Sequence, residues 1–338
     1  MPRKKKLGAA RNPVVTSIRV KPRRHARTPA PVGPVRKATR PAASKRAPVQ
    51  PCPAPAAVTQ ITQAAAPVWH AQYEAVVGLS HRDSRYPLPC QDAVLAQVSS
   101  RPMLLVADGA GSSAVSEIGS QSVVTGLARL FQTLEYLLAE LLDSDDASDE
   151  ARTRQFALVI VKHARGILED LSRAHRRALG DFRCTLSAVI LGRKRLIWLK
   201  VGDSPLVLEH ERQQAGASNE SERKDRVLST LGHNGKGEFA NQTVFIDEKL
   251  QPDEVQFGLL PVHQLTGVAV MSDGAAERLV ATDGSKASIQ LSQWFAALRS
   301  DTFSRRALTR FFYSDDFTKG SSGDDCSVGM LSLMQTVG

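Results

Sequence analysis

A chain of 338 residues that is 42% hydrophobic can bury one large core or two small ones. It holds no run of about 18 apolar residues, which excludes an expected membrane-spanning helix. Its formal charge of +10 is unevenly placed: residues 1–73 have no Asp or Glu and residues 1–50 carry 15 Lys or Arg, so 29 bases against 34 acids leave the remainder at −5.

The first segment, 1–68, reads as a disordered basic tail. It holds 12 of the 18 prolines, which remove backbone donors and fix φ. It also lacks the apolar periodicity that would offset the entropy of ordering. It reads either as a solvated leader or as a segment that docks electrostatically on an acidic protein, nucleic acid or an anionic lipid surface. No aromatic residues are interleaved with the bases, which argues against single-strand stacking. No continuous apolar h-region opens the chain, so a secretory leader is not expected. The proline density argues against an amphipathic transit peptide. The four cysteines, Cys52, Cys90, Cys184 and Cys326, include no CxxC pair; that points to a reducing, cytoplasmic setting without a zinc site or disulfide framework.

From residue 69 to 338 the composition is that of one folded domain. Residues 71–79 read as a strand, and 103–107 as a short buried strand ending in a turn. Residues 112–142 carry apolar side chains at helical spacing, among them Val115, Ile118, Val123, Leu127, Phe131 and Leu138. The acidic run 143–150, DSDDASDE, reads as a solvated connector. Residues 155–179 form a second long helix with a basic end that complements its dipole. Strands follow at 185–191 and 195–201, joined by Gly-Arg-Lys in a hairpin pattern, and a third at 205–209. Residues 211–225 read as a polar loop. Further strands are expected at 242–247, 267–272 and 326–334, and helices at 275–280, 288–298 and 304–312. Long helices bracketing clusters of hairpin strands predict a layered α+β domain.

Five places set a carboxylate at the edge of an apolar strand. Asp108 follows LLVA, Asp203 follows IWLKVG, and Asp273 follows VAVMS. Asp324 and Asp325 precede CSVGML, and Asp92 precedes AVL. Half-buried acids repel one another and cost desolvation unless a cation compensates. A lone Asp-Gly is usually a turn, and Asp283-Gly284, with no apolar strand before it, reads as one. Asp108-Gly109 and Asp273-Gly274 each terminate an apolar run. With Asp324 they suggest a hard-cation site, and oxygen ligands without a His cluster favour Mg²⁺ or Mn²⁺. A carbonyl at Gly109 can serve as a neutral ligand, because glycine lets the backbone approach closely.

The ordered series GLSHRDSRYPLPCQDA, VADGAG, CTLSAVIL, VGDS, GEFANQTVFI, MSDGAAE and GDDCSVGML resembles the metal-dependent type 2C protein serine/threonine phosphatases, in particular the bacterial branch with PCQDA and DGAGS motifs. The resemblance spans roughly residues 71–333. It implies a four-layer α-β-β-α sandwich, two antiparallel sheets flanked by helices, and a signalling hydrolase acting on phosphoserine and phosphothreonine. It further implies two Mn²⁺ or Mg²⁺ ions whose bridging hydroxide attacks phosphorus directly, without a phosphoenzyme. Asp108 matches the acid that bridges both metals and Gly109 the carbonyl ligand. Asp273 and Asp324 match ligands of one ion, and Asp92 matches the acid that holds the other ion's waters. Asp203 matches the ligand of a third, weaker ion, with Glu277 supporting it. Asp325 stands where the family usually has Asn, which reads as an acid behind the ligands or on the surface.

Two positions depart from the family pattern. Ala110 occupies the place where eukaryotic members commonly carry a His that protonates the leaving alcohol, and losing such an acid costs ~10²–10⁴-fold. The phosphate-gripping Arg has no unambiguous counterpart. Arg82, Arg85 and His81 are all candidates; the bidentate geometry of a guanidinium favours Arg85. Asn241 and Thr243 read as loop-fixing residues, Trp198, Trp294, Phe311 and Phe312 as core, His163 and His175 as helix residues, and Cys184 as packing. The resemblance implies a phosphoprotein substrate and a Ser/Thr kinase as counterpart. An alternative is a catalytically weak phosphatase fold that binds phosphoproteins or scaffolds a signalling complex. Binding of nucleic acid through the tail is compatible with either. No G-x-x-x-x-G-K-[ST] loop or complete G-x-G-x-x-G fingerprint supports another phosphate chemistry.

Overall fold

Among the described residues, ten strands pair antiparallel into two five-stranded sheets, with orders β1-β10-β9-β6-β7 and β2-β3-β4-β5-β8. The computed structural model describes residues 67–146, 149–213, 224–233 and 243–334. The tail, apart from Pro67 and Val68, lies outside them, as do Cys52 and Asn241. The strands are β1 (Trp69–Val76), β2 (Asp92–Gln97), β3 (Met103–Asp108), β4 (Leu186–Leu191), β5 (Arg195–Val201), β6 (Leu206–Gln213), β7 (Lys224–Leu231), β8 (Gln256–Pro261), β9 (Leu265–Met271) and β10 (Cys326–Leu333). The helices are α1 (Leu79–Arg82), α2 (Ser116–Thr133), α3 (Glu135–Asp143), α4 (Glu150–His175), α5 (Asp273–Ala276), α6 (Ile289–Arg299), α7 (Arg305–Phe312) and α8 (Asp315–Thr318).

Strand alternation divides the core into three apolar layers, and so the fold into the α-β-β-α sandwich. On β3, Met103, Leu105 and Ala107 face α2 and α4, packing with Val123, Leu127, Phe131, Ile160 and Leu168. The alternate residues Leu104 and Val106 face the other sheet and meet Val189, Trp198, Leu208, Val268 and Leu331. On the far side, Val207, Ala269, Met271, Val328 and Met330 pack against Trp294, Phe295, Leu308 and Phe312 of α6 and α7. A strand covered on both faces is apolar throughout, which is why β3 and β9 read so clearly in sequence.

Several elements differ from the expectation. The helix predicted over 112–142 starts only at Ser116 and is interrupted at Leu134, where α2 gives way to α3. Beside the interruption the Thr133 hydroxyl donates to the Arg129 carbonyl (3.0 Å), a back-bond of the kind that slightly destabilises a helix. The second helix lies about five residues earlier than predicted. Asp149 caps it by accepting from Ala151 N (2.8 Å), and Arg176 ends it at φ 54°. The acidic run is therefore no free connector: Asp143 accepts from Arg101 and from Arg193 N, and Asp145 pairs with Lys194. The polar stretch 211–225 is the end of β6 and the start of β7, and β8 was not expected at all. Among described residues 243–247 there is no strand, only isolated bridges at Thr243 and Ile246, the latter pairing with Cys184.

Candidate functional site

Antiparallel pairing brings the strand-end acids together at one end of the sandwich. Asp92 opens β2 and Asp108 closes β3, and the two are register partners. β5 runs antiparallel to β4 and delivers Asp203 just past Val201, at the same end of that sheet. In the other sheet β9 ends at Met271 and leads into Asp273. β10 begins at Cys326 opposite Val76, so Asp324 and Asp325 meet the chain leaving β1 at Gly78.

The acids compete for space and for protons. Asp92 is buried, and that burial, with Asp325 and Asp273 nearby, raises its carboxyl to about 8 although the Ser272 and Ser327 hydroxyls pull it down. Asp108 is raised well above the ordinary carboxylate range by burial, then by Asp92 and Asp273, to which it hydrogen-bonds, and by Asp324. Asp273 is raised by burial and by Asp203 and Asp324, against the opposing bond to Asp108. Asp92 Oδ2 and Asp203 Oδ1 are buried without a hydrogen-bond partner, and the other oxygen of Asp203 accepts from Thr243 Oγ1 (2.9 Å).

Backbone contacts hold this arrangement. Gly109 N donates to the Gln91 carbonyl (3.1 Å), which also accepts from Ser120 Oγ (2.6 Å). A Cβ on Gly109 would crowd that carbonyl at 2.8 Å, so the close approach requires glycine. Asp108 N donates to Thr185 Oγ1 (3.0 Å), and Ala110 N to the Arg183 carbonyl (3.2 Å). Asp325 is almost wholly buried, not a surface acid. Its two oxygens accept from Gly78 N (2.7 Å) and Gln91 N (2.6 Å), tying β1, β10 and the residue before Asp92 to one carboxylate.

The three phosphate-grip candidates part company here. His81 lies against the acids, with Nδ1 3.1 Å from Asp325 Oδ1 and Nε2 4.0 Å from Asp324 Oδ1, the former without hydrogen-bond alignment. Among the described residues His81, Asp324 and Asp325 are the group whose potential ligand atoms all lie within 4.8 Å of one another. Arg82 instead pairs with Asp83 and lies over Tyr313, and Arg85 lies over its neighbour Tyr86. Glu277 is exposed and accepts from Ser322 N (2.9 Å). Asp283 accepts from Ser285 within its own turn, and burial pushes the Cys184 thiol up.

A family model described as protein phosphatase 2C matches residues 77–312, from the end of β1 through α7. The chain belongs to the protein phosphatase 2C family. It is a protein serine/threonine phosphatase by that membership, and its fold is the two-sheet sandwich expected of it. Solved structures to which the chain is similar include the catalytic domain of the serine threonine protein phosphatase PstP in complex with two manganese ions (16% identity, 80% of this chain and 100% of that one, TM-score 0.48). Two others are Stp1 from Staphylococcus aureus (14%, 80% and 96%, 0.47) and PppA, a regulatory component of type VI secretion in Pseudomonas aeruginosa (16%, 80% and 99%, 0.47). No curated protein matches. Among the described residues of this 2C-type chain, no helix is long and apolar enough to cross a membrane.

Two side chains at the site escaped the sequence reading. Thr185 holds the Asp108 backbone. Arg183 donates through Nη2 to Ser112 Oγ (2.8 Å) and through Nε to Ser113 Oγ (3.2 Å), its guanidinium 5.1 Å from the Phe245 ring centre. In sequence Thr185 lies within CTLSAVIL and Arg183 just before it, and nothing in that motif marks either side chain as part of the site.

Proposed function

We propose that this chain hydrolyses phosphoserine and phosphothreonine in proteins at the acid-lined end of the sandwich, with Mn²⁺ or Mg²⁺ as cofactor. The observation that carries the reading is the convergence of Asp92, Asp108, Asp273 and Asp324 without a Lys or Arg partner among the described residues, His81 alone standing beside Asp324, and with buried oxygens of Asp92 and Asp203 left unpaired. Mutually repelling acids of this kind fit hard divalent cations. Asp108, the Gly109 carbonyl, Asp273 and Asp324 would hold a pair of ions, Asp92 would accept from their waters, and Asp203 with Glu277 would hold a third. Bound there, the ions would supply Lewis acidity toward the phosphoryl oxygens and lower the pKa of a water so that hydroxide is available to attack phosphorus. The chain's own residues set the stage. Gln91 and Thr185 fix the backbone of Asp108 and Gly109, Asp325 fixes Asp92 against Asp324, and Thr243 orients Asp203. His81 is the phosphate-grip candidate that stands beside the acids, and we assign it that role ahead of Arg85 and Arg82.

The substrates are phosphoproteins made by a Ser/Thr kinase, and the basic tail is a separate segment that docks on anionic partners. A weaker, binding-only reading rests on one residue: Ala110 has no side chain able to protonate a leaving alkoxide. Calorimetric titration with Mn²⁺ and phosphate release from a phosphoserine peptide decide between them. Mn²⁺ uptake with Mn²⁺-dependent release, both lost in Asp108→Asn and Asp273→Asn, is the expected result. Uptake without release favours the binding module, and no uptake removes the reading.

A further inference from the structure

Arg183 is a fixed cation on the rim of an acidic site, and nothing in the chemistry above uses it. Its Nε and Nη2 are engaged by the Ser113 and Ser112 hydroxyls of the GAGSS loop, and one face of the guanidinium is covered by Phe245. Its backbone is locked as well: the carbonyl accepts from Ala110 N, and Cys184 next to it bridges Gly109. Among the described residues it forms no ion pair. A guanidinium has five N–H donors in a planar fork. The serines take the Nε–Nη2 edge, and among the described residues Nη1 of this half-buried cation makes no hydrogen bond, which leaves it donors for a further acceptor. The Nη2 contact to Ser112 is at the surface, so that edge belongs to the rim and not to the floor where the acids meet.

We propose that Arg183 is a specificity-determining residue that pairs with an acidic side chain flanking the phosphoresidue of the substrate. The proposal rests on the phosphoprotein reading, and deepens it to phosphopeptides with Glu or Asp beside the phosphate. A carboxylate is the ligand a bidentate guanidinium edge fits.

The test is fluorescence anisotropy with the full chain and Mn²⁺, using labelled non-hydrolysable phosphonate analogues of a phosphoserine peptide with Glu or with Ala on both flanks. Because this readout needs no turnover, it is independent of catalysis. The Glu peptide is expected to bind about fivefold more tightly, the upper end for an ion pair at a partly solvated rim. Arg183→Gln, which can still bond the two serines, is expected to erase the difference and leave the Ala peptide unchanged. Arg183→Lys, which keeps charge but loses the fork, is expected to retain part of it. Equal binding of the two peptides by the unsubstituted chain overturns the proposal, as does an equal loss for both peptides in Arg183→Gln, or no binding of either. Arg183-dependent preference in a chain that hydrolyses nothing sinks the hydrolase reading and leaves this one standing.

Discussion

Asp325 shows how a carboxylate beside a cation site can be structural. Its two oxygens accept from the backbone N–H groups of Gly78 and Gln91, so it holds the acids in place through the backbone. Hydrogen bonds to a charged acceptor are worth more than neutral ones, and deleting a buried acceptor strands its donors. Asp325→Ala is therefore expected to cost about 2–4 kcal/mol in a urea melt and to weaken Mn²⁺ binding in calorimetry, since Gln91 precedes Asp92. Asp325→Asn keeps an acceptor oxygen and should lose less of both. An unaltered urea midpoint in the Ala variant would show that the clamp contributes nothing. Asp108→Asn should behave in the opposite sense, because it relieves repulsion with Asp92 and Asp273. The metal-free protein should become more stable while its Mn²⁺ uptake disappears, and a destabilised metal-free variant would contradict the repulsion argument.

The elements are joined by buried ion pairs as well as by the apolar layers. Glu209 of β6 is fully buried and meets Arg299 at the end of α6 (2.7 Å), with Thr266 Oγ1 also donating to it (2.8 Å). Removing one member of such a pair leaves an uncompensated charge. Arg299→Met is expected to lower stability by about 3–5 kcal/mol, with Glu209→Gln in the same chain recovering part of the loss; no recovery would mean that the cost lies in packing of α6. Nothing in sequence announces this pairing, because the partners are 90 residues apart. What sequence does announce is periodicity. β3, β9 and β10 are buried on both faces and stand out as apolar runs before an acid or after one. The two strands that were missed, β7 and β8, are the outer strands of their sheets. KDRVLSTL alternates with charged and hydroxyl residues, and QFGLLP carries a Gly and a Pro, as suits edges with fewer packing demands. The site was legible for a related reason: each acid interrupts an apolar run where burial would otherwise continue. Asp92, Asp108, Asp203, Asp273 and Asp324 could thus be chosen by type and place. The roles of Asp325, Thr185 and Arg183 depend on which backbone atoms the fold sets beside them, and chain spacing does not encode that.

At the scale of the whole molecule, charge separation and protonation are linked. The body carries its excess acid partly at one end of the sandwich, so the metal-free fold must either hold protons there or bear the repulsion. Asp92 stands near 8 in the folded chain against 3.8 for the ordinary group, and Asp108 and Asp273 are displaced in the same direction. Between about pH 4 and 8 the folded state then binds more protons than the unfolded one. Stability follows the unfolded-minus-folded proton difference, so it must fall as pH rises across that window. His210 works weakly the other way, since burial lowers its imidazole, and Lys200, lowered to about 8 by burial, acts only above the window. A divalent cation replaces the missing protons, so its stabilisation should grow as they leave. The metal-free protein is accordingly expected to show a Tm that drops from pH 5 to pH 8, and Mn²⁺ should raise Tm more at pH 8 than at pH 6. Asp92→Asn removes one of the displaced groups and should flatten the metal-free profile, which separates the acid cluster from every other titrating residue. A metal-free Tm that rises over the same interval, or an unchanged slope in Asp92→Asn, would show that these carboxyls do not share their burial.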